Sequence, residues 1–315
     1  MKELDLSIII PAFNEEESIP ELSDWIVKVI SETTLTYEIW FIDDGSTDRT
    51  WEAIEKLNKI NPNIKGVQFQ RNYGKSAALH TGFQNSNGNV VITMDADLQD
   101  SPEEIPGLYE MIAKEGYDLV SGWKKVRYDN AISKNLPSKF YNTVSGWMSG
   151  VKLHDMNCGL KAYRSNVIKS IEIYGEMHRY IPVIAKSAGF RNIGERVVQH
   201  RARKYGYSKF GMSRFVNGFL DLATILFIGK FGKRPMHFFG SFGLVCFFIG
   251  FCFVFYLSIT KLAFGQVGMT QRPAFFIALV SMIIGSQMFF TGFLAELVTR
   301  NASERNHYLI SRHLQ

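Results

Sequence analysis

At 315 residues, with 46% hydrophobic and 21% charged side chains, the chain is long enough to bury one large core or two. Three cysteines, Cys158, Cys246 and Cys252, are too few for a disulfide framework. The net charge of +5 is mild, and an acid-rich stretch at 95–104 would repel phosphates, so no nucleic-acid partner is expected.

The first part of the chain alternates short apolar runs with amphipathic ones. Leu6 to Pro11 reads as a buried strand, and Ile19, Leu22, Trp25 or Ile26, Val29 and Ile30 follow at helical spacing. Tyr37 to Ile42 is a second strand, and Asp48 to Ile60 a second helix with Trp51, Ile54, Leu57 and Ile60 on one face. Ile64 to Gln70 and Lys75 to Asn85 form a third pair. Asn89 to Met94 is a fourth strand, Pro102 to Lys114 a helix, and Asp118 to Ser121 a fifth strand. Such alternation predicts a mainly parallel sheet with right-handed crossovers. Ligands then bind beyond the C-terminal strand ends. Three polar clusters fall at those ends: Phe13-Asn14-Glu15, Asp43-Asp44-Gly45-Ser46 and Asp95-Ala96-Asp97.

The five acids of NVVITMDADLQDSPEE divide by position. Ser101-Pro102-Glu103-Glu104 has the form of a helix start, with a capping box from Ser101 to Glu104. Asp95 and Asp97 leave one strand two positions apart, so their carboxylates point to one side. A hard divalent ion, Mg2+ or Mn2+, resolves their repulsion, and Gln99 offers a third oxygen. Asp100 is open between a turn and a functional role. No Gly-x-x-x-x-Gly-Lys-Ser/Thr loop and no Gly-x-Gly-x-x-Gly at the first strand–helix turn occur, and no zinc-type His or Cys spacing accompanies them.

Between Lys186 and Lys209 Lys and Arg are dense and Glu195 is the single acid. This stretch suits anionic headgroups or a phosphate-bearing ligand. Ser208 to Arg234 is basic and aromatic, as helices at a membrane interface are. Met236 to Ile259 then runs without Asp, Glu, Lys or Arg, and Ala274 to Ala295 is a second apolar run. Each reaches the roughly 20 residues that cross about 30 Å of hydrocarbon. Lys230, Lys233 and Arg234 precede the pair and Arg300, Arg305 and Arg312 follow it, against Lys261 and Arg272 between them. That asymmetry predicts two spans in the plasma or inner membrane, with a cytoplasmic N-terminal domain and a cytoplasmic tail. No signal peptide is expected ahead of Leu4. The expected organisation is a cytoplasmic domain at 1–207, interfacial helices at 208–235, a transmembrane hairpin at 236–299 (spans 236–259 and 274–297) and a tail at 300–315. Small residues in the spans, Gly240, Gly243, Gly250 and Gly285, permit close helix packing, including between copies in a homo-oligomer.

The motifs IIIPAFNEEESIP, FIDDGSTDRT, RNYGKSAALHTGF and ITMDADLQDSPEEI, in this order, resemble family 2 glycosyltransferases of GT-A fold. More narrowly they resemble polyprenyl-phosphate glycosyltransferases, over residues 4–210, and the paired C-terminal spans match bacterial members. The resemblance implies an α/β, Rossmann-like GT-A domain that moves a hexose from a nucleotide sugar to polyprenyl phosphate at the bilayer, with inversion. It implies that Asp44 contacts the nucleotide base, with Pro11, Phe13, Asn14 and Glu15 along base and ribose. Asp95, Asp97 and Gln99 match the metal ligands, and Arg71 and Lys75 belong to the donor-side loop. Arg203, Ser208 and Lys209 match a basic loop over the diphosphate and acceptor phosphate. Lys134 and Ser138 hold the spacing of a lipid-phosphate pair, with Lys124 and Arg201 further candidates. A solvated helix face explains Lys134 as well, and headgroup contact explains Arg201. His178-Arg179 lie where relatives touch sugar or acceptor. Where relatives carry an acid proposed as a base, this chain reads Asn157-Cys158-Gly159-Leu160-Lys161, with Asp155 nearby as the substitute. UDP-glucose is the favoured donor, with GDP-mannose or a modified UDP-sugar as alternatives. A processive polysaccharide synthase lacks support, because no Gln-x-x-Arg-Trp motif occurs. A non-catalytic scaffold would have no need of Asp44, Asp95, Asp97 and Lys209 together.

Overall fold

The structure, a computed structural model, describes residues 4–125, 150–201, 204–205, 227, 235–264, 268–301 and 310–314. It divides into two compact units, Met1–Leu226 with Asn306–Gln315, and Phe227–Arg305.

The first unit is built on a mixed sheet. Strands β1 (Leu4–Ala12), β2 (Tyr37–Asp43), β3 (Ile64–Phe69) and β4 (Gly88–Thr93) are mutually parallel in the order β4-β1-β2-β3. Ile8, Ile9 and Ile10 are all fully buried, as expected of a central parallel strand covered on both faces. Helix α1 (Ser18–Ser31) lays Ile19, Leu22, Ile26 and Ile30 on one of those faces. Helices α2 (Thr50–Ile60) and α3 (Lys75–Asn85) follow β2 and β3. In α2 the apolar face ends before its last residue: Trp51 and Ile54 are buried while Ile60 stands 80% exposed.

Beyond β4 the sheet departs from the parallel expectation. Strand β5 (Leu119–Trp123) does not pair with β4; β6 (Lys161–Arg164) lies between them, antiparallel to both, and β7 (Ile193–Val197) pairs with β5. At the opposite edge β8 (Ile310–Leu314) runs antiparallel to β3. The last residues of the expected tail therefore form the eighth strand of the catalytic sheet. His313 stacks on Trp40 at 5.7 Å between ring centres, and Arg312 reaches Glu55 at 3.4 Å. Three short helices complete the described part of this unit: α4 (Ile105–Ala113), α5 (Ser165–Ser170) and α6 (Ile181–Ser187).

The expected helix start at Ser101 takes another form. Pro102–Glu104 is a 3-10 turn leading into α4, and the Ser101 side chain makes no capping bond. Glu104 instead accepts from the Gln199 amide at 3.2 Å and pairs with Arg196 at 3.4 Å; Glu103 faces Arg201 at 3.8 Å. These acids anchor a segment about a hundred residues downstream, which outcompetes the local cap.

The second unit contains helices α7 (Pro235–Phe264) and α8 (Pro273–Asn301), both long and apolar enough to cross a membrane. Their packing is set by missing side chains. A Cβ on Gly243 would lie 2.6 Å from the Gly285 carbonyl oxygen, and one on Gly250 would lie 2.5 Å from that of Ala278. Ser281 also donates to the Cys246 carbonyl at 2.8 Å. Gly243, Gly250 and Gly285 are thus used inside the hairpin, as small residues are in membrane helix pairs. Most of the expected interfacial segment 208–235 lies outside the described residues.

Candidate active site

Because β4, β1 and β2 are adjacent and parallel, their C-terminal ends share one rim, and the three polar clusters meet there. The first two clusters interlock. Asn14, held at φ 57°, donates its amide to Ser46 Oγ at 2.9 Å and accepts from the Thr47 amide at 2.9 Å. The Glu15 amide donates to Thr50 Oγ1 at 2.8 Å, and its carboxylate accepts from Ser18 at 2.6 Å. Asp43 is buried and accepts from the Ser46 amide and Gln68. Pro11 and Phe13 lie along the same β1 exit.

Asp44, 4% exposed, accepts from the backbone amides of Tyr73 at 2.7 Å and Gly74 at 2.9 Å. It thereby pins the Arg71–Lys75 loop to the β2 exit. Gly45 makes this approach feasible: its φ is +71°, and a Cβ there would sit 2.4 Å from the Arg71 carbonyl carbon. Burial pushes the Asp44 carboxyl up to about 6, against the pull of those two amides. Arg71 lies over the Tyr73 ring at 4.7 Å.

The third cluster carries the charge. Lys75, the first residue of α3, forms an ion pair with Asp95 Oδ1, each side chain about one-third exposed. Gly159 backs the carboxylate so closely that a Cβ would be 2.5 Å from Oδ2 and 2.8 Å from Oδ1. Thr93 at the end of β4 holds that turn by donating to the Gly159 carbonyl at 3.0 Å. Burial alone would raise the Asp95 carboxyl; Lys75, Lys124 and Lys161 outweigh it and hold it near 2. Asp97 is 8% exposed and accepts from the Gln99 amide at 3.2 Å, across a Leu98 with φ 60°. The Gln99 carbonyl is engaged by the Arg201 amide at 2.9 Å.

Asp100, open in the sequence, is buried at 1% exposure and pairs with Lys124 at 2.6 Å. Burial alone would lower the Lys124 ammonium; Asp100 reverses this and lifts it above the usual lysine range. Lys124, expected at the lipid phosphate, is 12% exposed and committed to this pair. Arg201, expected there too, stacks on Trp25 of α1 at 4.1 Å and faces Glu103. Lys204 is bound to Glu21 at 2.7 Å. Much of the basic stretch is therefore tied to the domain's own acids. Lys134, Ser138, Arg203, Ser208 and Lys209 lie outside the described residues.

The sequence motifs assign no role to Lys161, whereas His178 is expected near sugar or acceptor. Lys161, at the start of β6, is 3% exposed, donates to the Cys158 carbonyl and has its ammonium lowered by burial. His178 bonds through both its amide and Nδ1 to Ser76 of α3, at 3.0 and 3.1 Å. Burial, with Lys75, Arg179 and Lys161 nearby, keeps that imidazole neutral. Strand β6 reads Lys-Ala-Tyr-Arg, so nothing local marks its first residue as buried. Asp155 is 2% exposed, with its amide donating to Glu195 at 3.0 Å, and its charge acts on Cys158 and Lys161. Burial, reinforced by Asp100, pushes the Cys158 thiol up to about 12, which makes it inert rather than nucleophilic.

Among the described residues no three His, Cys, Asp or Glu converge into a complete metal cage. The donor set nevertheless fits a hard divalent cation. Two carboxylates at one strand exit, one opposite a glycine, are what such an ion takes from protein when diphosphate and water complete its shell.

A crossover sheet with an acid-rich rim, an inserted antiparallel strand and a buried lysine set beside the acids is the architecture of a nucleotide-sugar glycosyltransferase of GT-A fold. Two solved structures share it: mannosyl-3-phosphoglycerate synthase from Rubrobacter xylanophilus (TM-score 0.56, 15% identity, 72% of this chain and 75% of that one), and glucosyl-3-phosphoglycerate synthase from Mycobacterium tuberculosis in complex with Mn2+, uridine-diphosphate-glucose and phosphoglyceric acid (TM-score 0.53, 18% identity, 72% and 79%). Residues 7–172 match glycosyl transferase family 2, and the chain belongs to that family. Among similar sequences, the dodecaprenyl-phosphate galacturonate synthase of Rhizobium johnstonii is 36% identical over 302 residues, covering 95% of this chain and 89% of that protein. The undecaprenyl-phosphate 4-deoxy-4-formamido-L-arabinose transferase of Proteus mirabilis is 33% identical over 311 residues, covering 98% and 93%.

Proposed function

We propose that this protein transfers a sugar from a nucleotide diphosphate sugar to polyprenyl phosphate at a membrane surface, inverting the anomeric centre. The observation that carries the reading is the shared rim, where Asp44 at the end of β2 and the Asp95–Asp97 pair at the end of β4 flank the β1 exit. Similarity to polyprenyl-phosphate enzymes over nearly the whole chain, apolar helices included, supports the lipid acceptor.

A phosphate oxygen of the acceptor attacks the anomeric carbon, the bond from that carbon to the donor diphosphate breaks, and the electron pair leaves on the nucleoside diphosphate. The second phosphate pKa is about 6, so at neutral pH the acceptor is already largely dianionic and needs no strong base. Asp155 then serves as a charge partner of Lys161 rather than a proton acceptor. Asp44 receives the base, and Pro11, Phe13, Asn14 and Glu15 line it and the ribose. Lys75 and Arg71 face the diphosphate, with Arg203, Ser208 and Lys209 as the closing basic loop and Lys134 and Ser138 at the acceptor phosphate. Asp95 and Asp97, with Gln99 beside them, would hold Mg2+ or Mn2+, which supplies fixed positive charge to the departing diphosphate.

The donor sugar is weighed toward a uronate or a formamido-pentose, since the relatives' names carry galacturonate and 4-deoxy-4-formamido-L-arabinose; UDP-glucose and GDP-mannose complete the panel to be tested. Orientation has support beyond the flanking charges. The chain leaves the catalytic unit before α7 and returns to its sheet as β8, so the intervening segment crosses the bilayer an even number of times. With positive ends, both ends belong on the cytoplasmic side.

The test is incubation of membranes with polyprenyl phosphate and labelled nucleotide sugars, comparing wild type with Asp97→Ala. One donor is expected to yield lipid-linked sugar, and the variant none. Product from no donor would overturn the function, and a variant at wild-type rate would overturn the metal assignment.

A further inference from the structure

We propose that Lys75 is an exchangeable counter-ion for Asp95, competing with the donor's divalent cation for one carboxylate oxygen and, once displaced, moving onto the donor diphosphate. The inference rests on the reading of Asp95 as a metal ligand.

The geometry distinguishes Lys75 from the other lysines near Asp95. Lys161 is 3% exposed and bonded to a backbone carbonyl, and Lys124 is held by Asp100. Lys75 and Asp95 are each about one-third exposed, so their pair is open to an arriving ion. Gly159 packs on the Asp95 carboxylate so closely that a Cβ there would be 2.5 Å from Oδ2 and 2.8 Å from Oδ1, which limits movement toward that side. A cation arriving at this carboxylate meets an ammonium already on Oδ1.

The backbone under Lys75 is fixed as well. Asp44 binds the amides of Tyr73 and Gly74, the two residues immediately before it, and Gly74 at φ +93° sets the turn into α3. Exchange is therefore a side-chain rotation, which the flexible four-carbon lysine stem allows. The same short loop joins the residue assigned to the nucleotide base, Asp44, to the residue assigned to the cation, Asp95.

A cation binding alone must break the Lys75–Asp95 pair and leave the ammonium without a partner. A cation arriving with a diphosphate gives that ammonium a new anion. Metal and nucleotide consequently bind with positive coupling, and the coupling is reciprocal. Removing the ammonium has opposite effects in the two situations, which a plain diphosphate-binding lysine would not produce.

Mn2+ binding is measured by electron paramagnetic resonance on the full chain in detergent micelles, with and without UDP, for wild type, Lys75→Met, Lys75→Arg and Asp95→Asn. Thermal melts confirm that each variant is folded. Lys75→Met is expected to bind Mn2+ about fivefold more tightly without UDP, the scale of a partly exposed ion pair, and more weakly than wild type with UDP. Lys75→Arg keeps the wild-type order. Lys75→Met that weakens Mn2+ binding in both conditions, or changes neither, overturns the exchange role while Asp95→Asn still loses the ion. Asp95→Asn that binds Mn2+ as wild type does overturns the metal assignment itself.

Discussion

Replacing Lys124 by Met separates two roles that one lysine can have in this enzyme. As a phosphate ligand, its loss would raise the KM for polyprenyl phosphate and leave stability unchanged. In the structure its ammonium lies 2.6 Å from Asp100, with side-chain exposures of 12% and 0%. Among the described residues the Asp100 carboxylate has no other hydrogen-bond partner. Truncating the lysine leaves a carboxylate in a site closed to water. Breaking such a buried pair from one side costs about 3–5 kcal/mol. For a unit of roughly 200 residues each kcal/mol moves Tm by about 2–4 °C, so a fall on the order of 10 °C is expected. Differential scanning fluorimetry of the purified full chain reads it directly. The double variant Lys124→Met/Asp100→Asn should recover part of the loss, because it removes the stranded charge together with its partner. A Lys124→Met protein that melts with wild type but fails to bind lipid phosphate would refute the structural assignment.

Three further outcomes follow from the same packing. The Asp44 carboxyl is raised to about 6 from an ordinary 3.8, so its anion is lost as pH falls through 6. If the anion receives the base, the donor KM should rise below that pH in wild type, and Asp44→Asn should show a flatter profile. The sign for stability is opposite: burial favours the protonated form, so this group's contribution to folding declines as pH climbs from about 4 to 6. Gly285→Leu places a side chain against the backbone of α7 where even a Cβ would be 2.6 Å from the Gly243 carbonyl oxygen. It should separate the hairpin and reduce disulfide cross-linking between cysteines engineered on α7 and α8. Deleting residues 310–314 should uncover the β3 edge and remove the His313–Trp40 stack. A red-shifted tryptophan emission and a fall of a few degrees in Tm are expected, and an unchanged spectrum would count against the pairing.

The parts of this protein legible in its sequence are those governed by local periodicity. Ile8 to Ile10 announce a strand buried on both faces, the spacing of Ile19, Leu22, Ile26 and Ile30 announces one helix face, and uncharged length announces α7 and α8. The alternation of these elements then implies one rim for Asp44, Asp95 and Asp97, because parallel strands end on the same side. Strand β6 gives no such sign: four residues with a buried lysine at their head form a strand only because β4 and β5 both present free edges to them.

Tertiary structure decided which charges find which partners. Ser101 and Glu104 have the local pattern of a capping box, yet Glu104 binds Arg196 and Gln199. Asp100 takes Lys124, Asp95 takes Lys75, and residues 310–314 return past the apolar hairpin to β3. Periodicity is written in neighbouring residues, whereas an ion pair or an edge strand depends on chain segments far apart in sequence. Those partners become neighbours only after the core has closed, so their selection belongs to the fold rather than to any stretch of the chain.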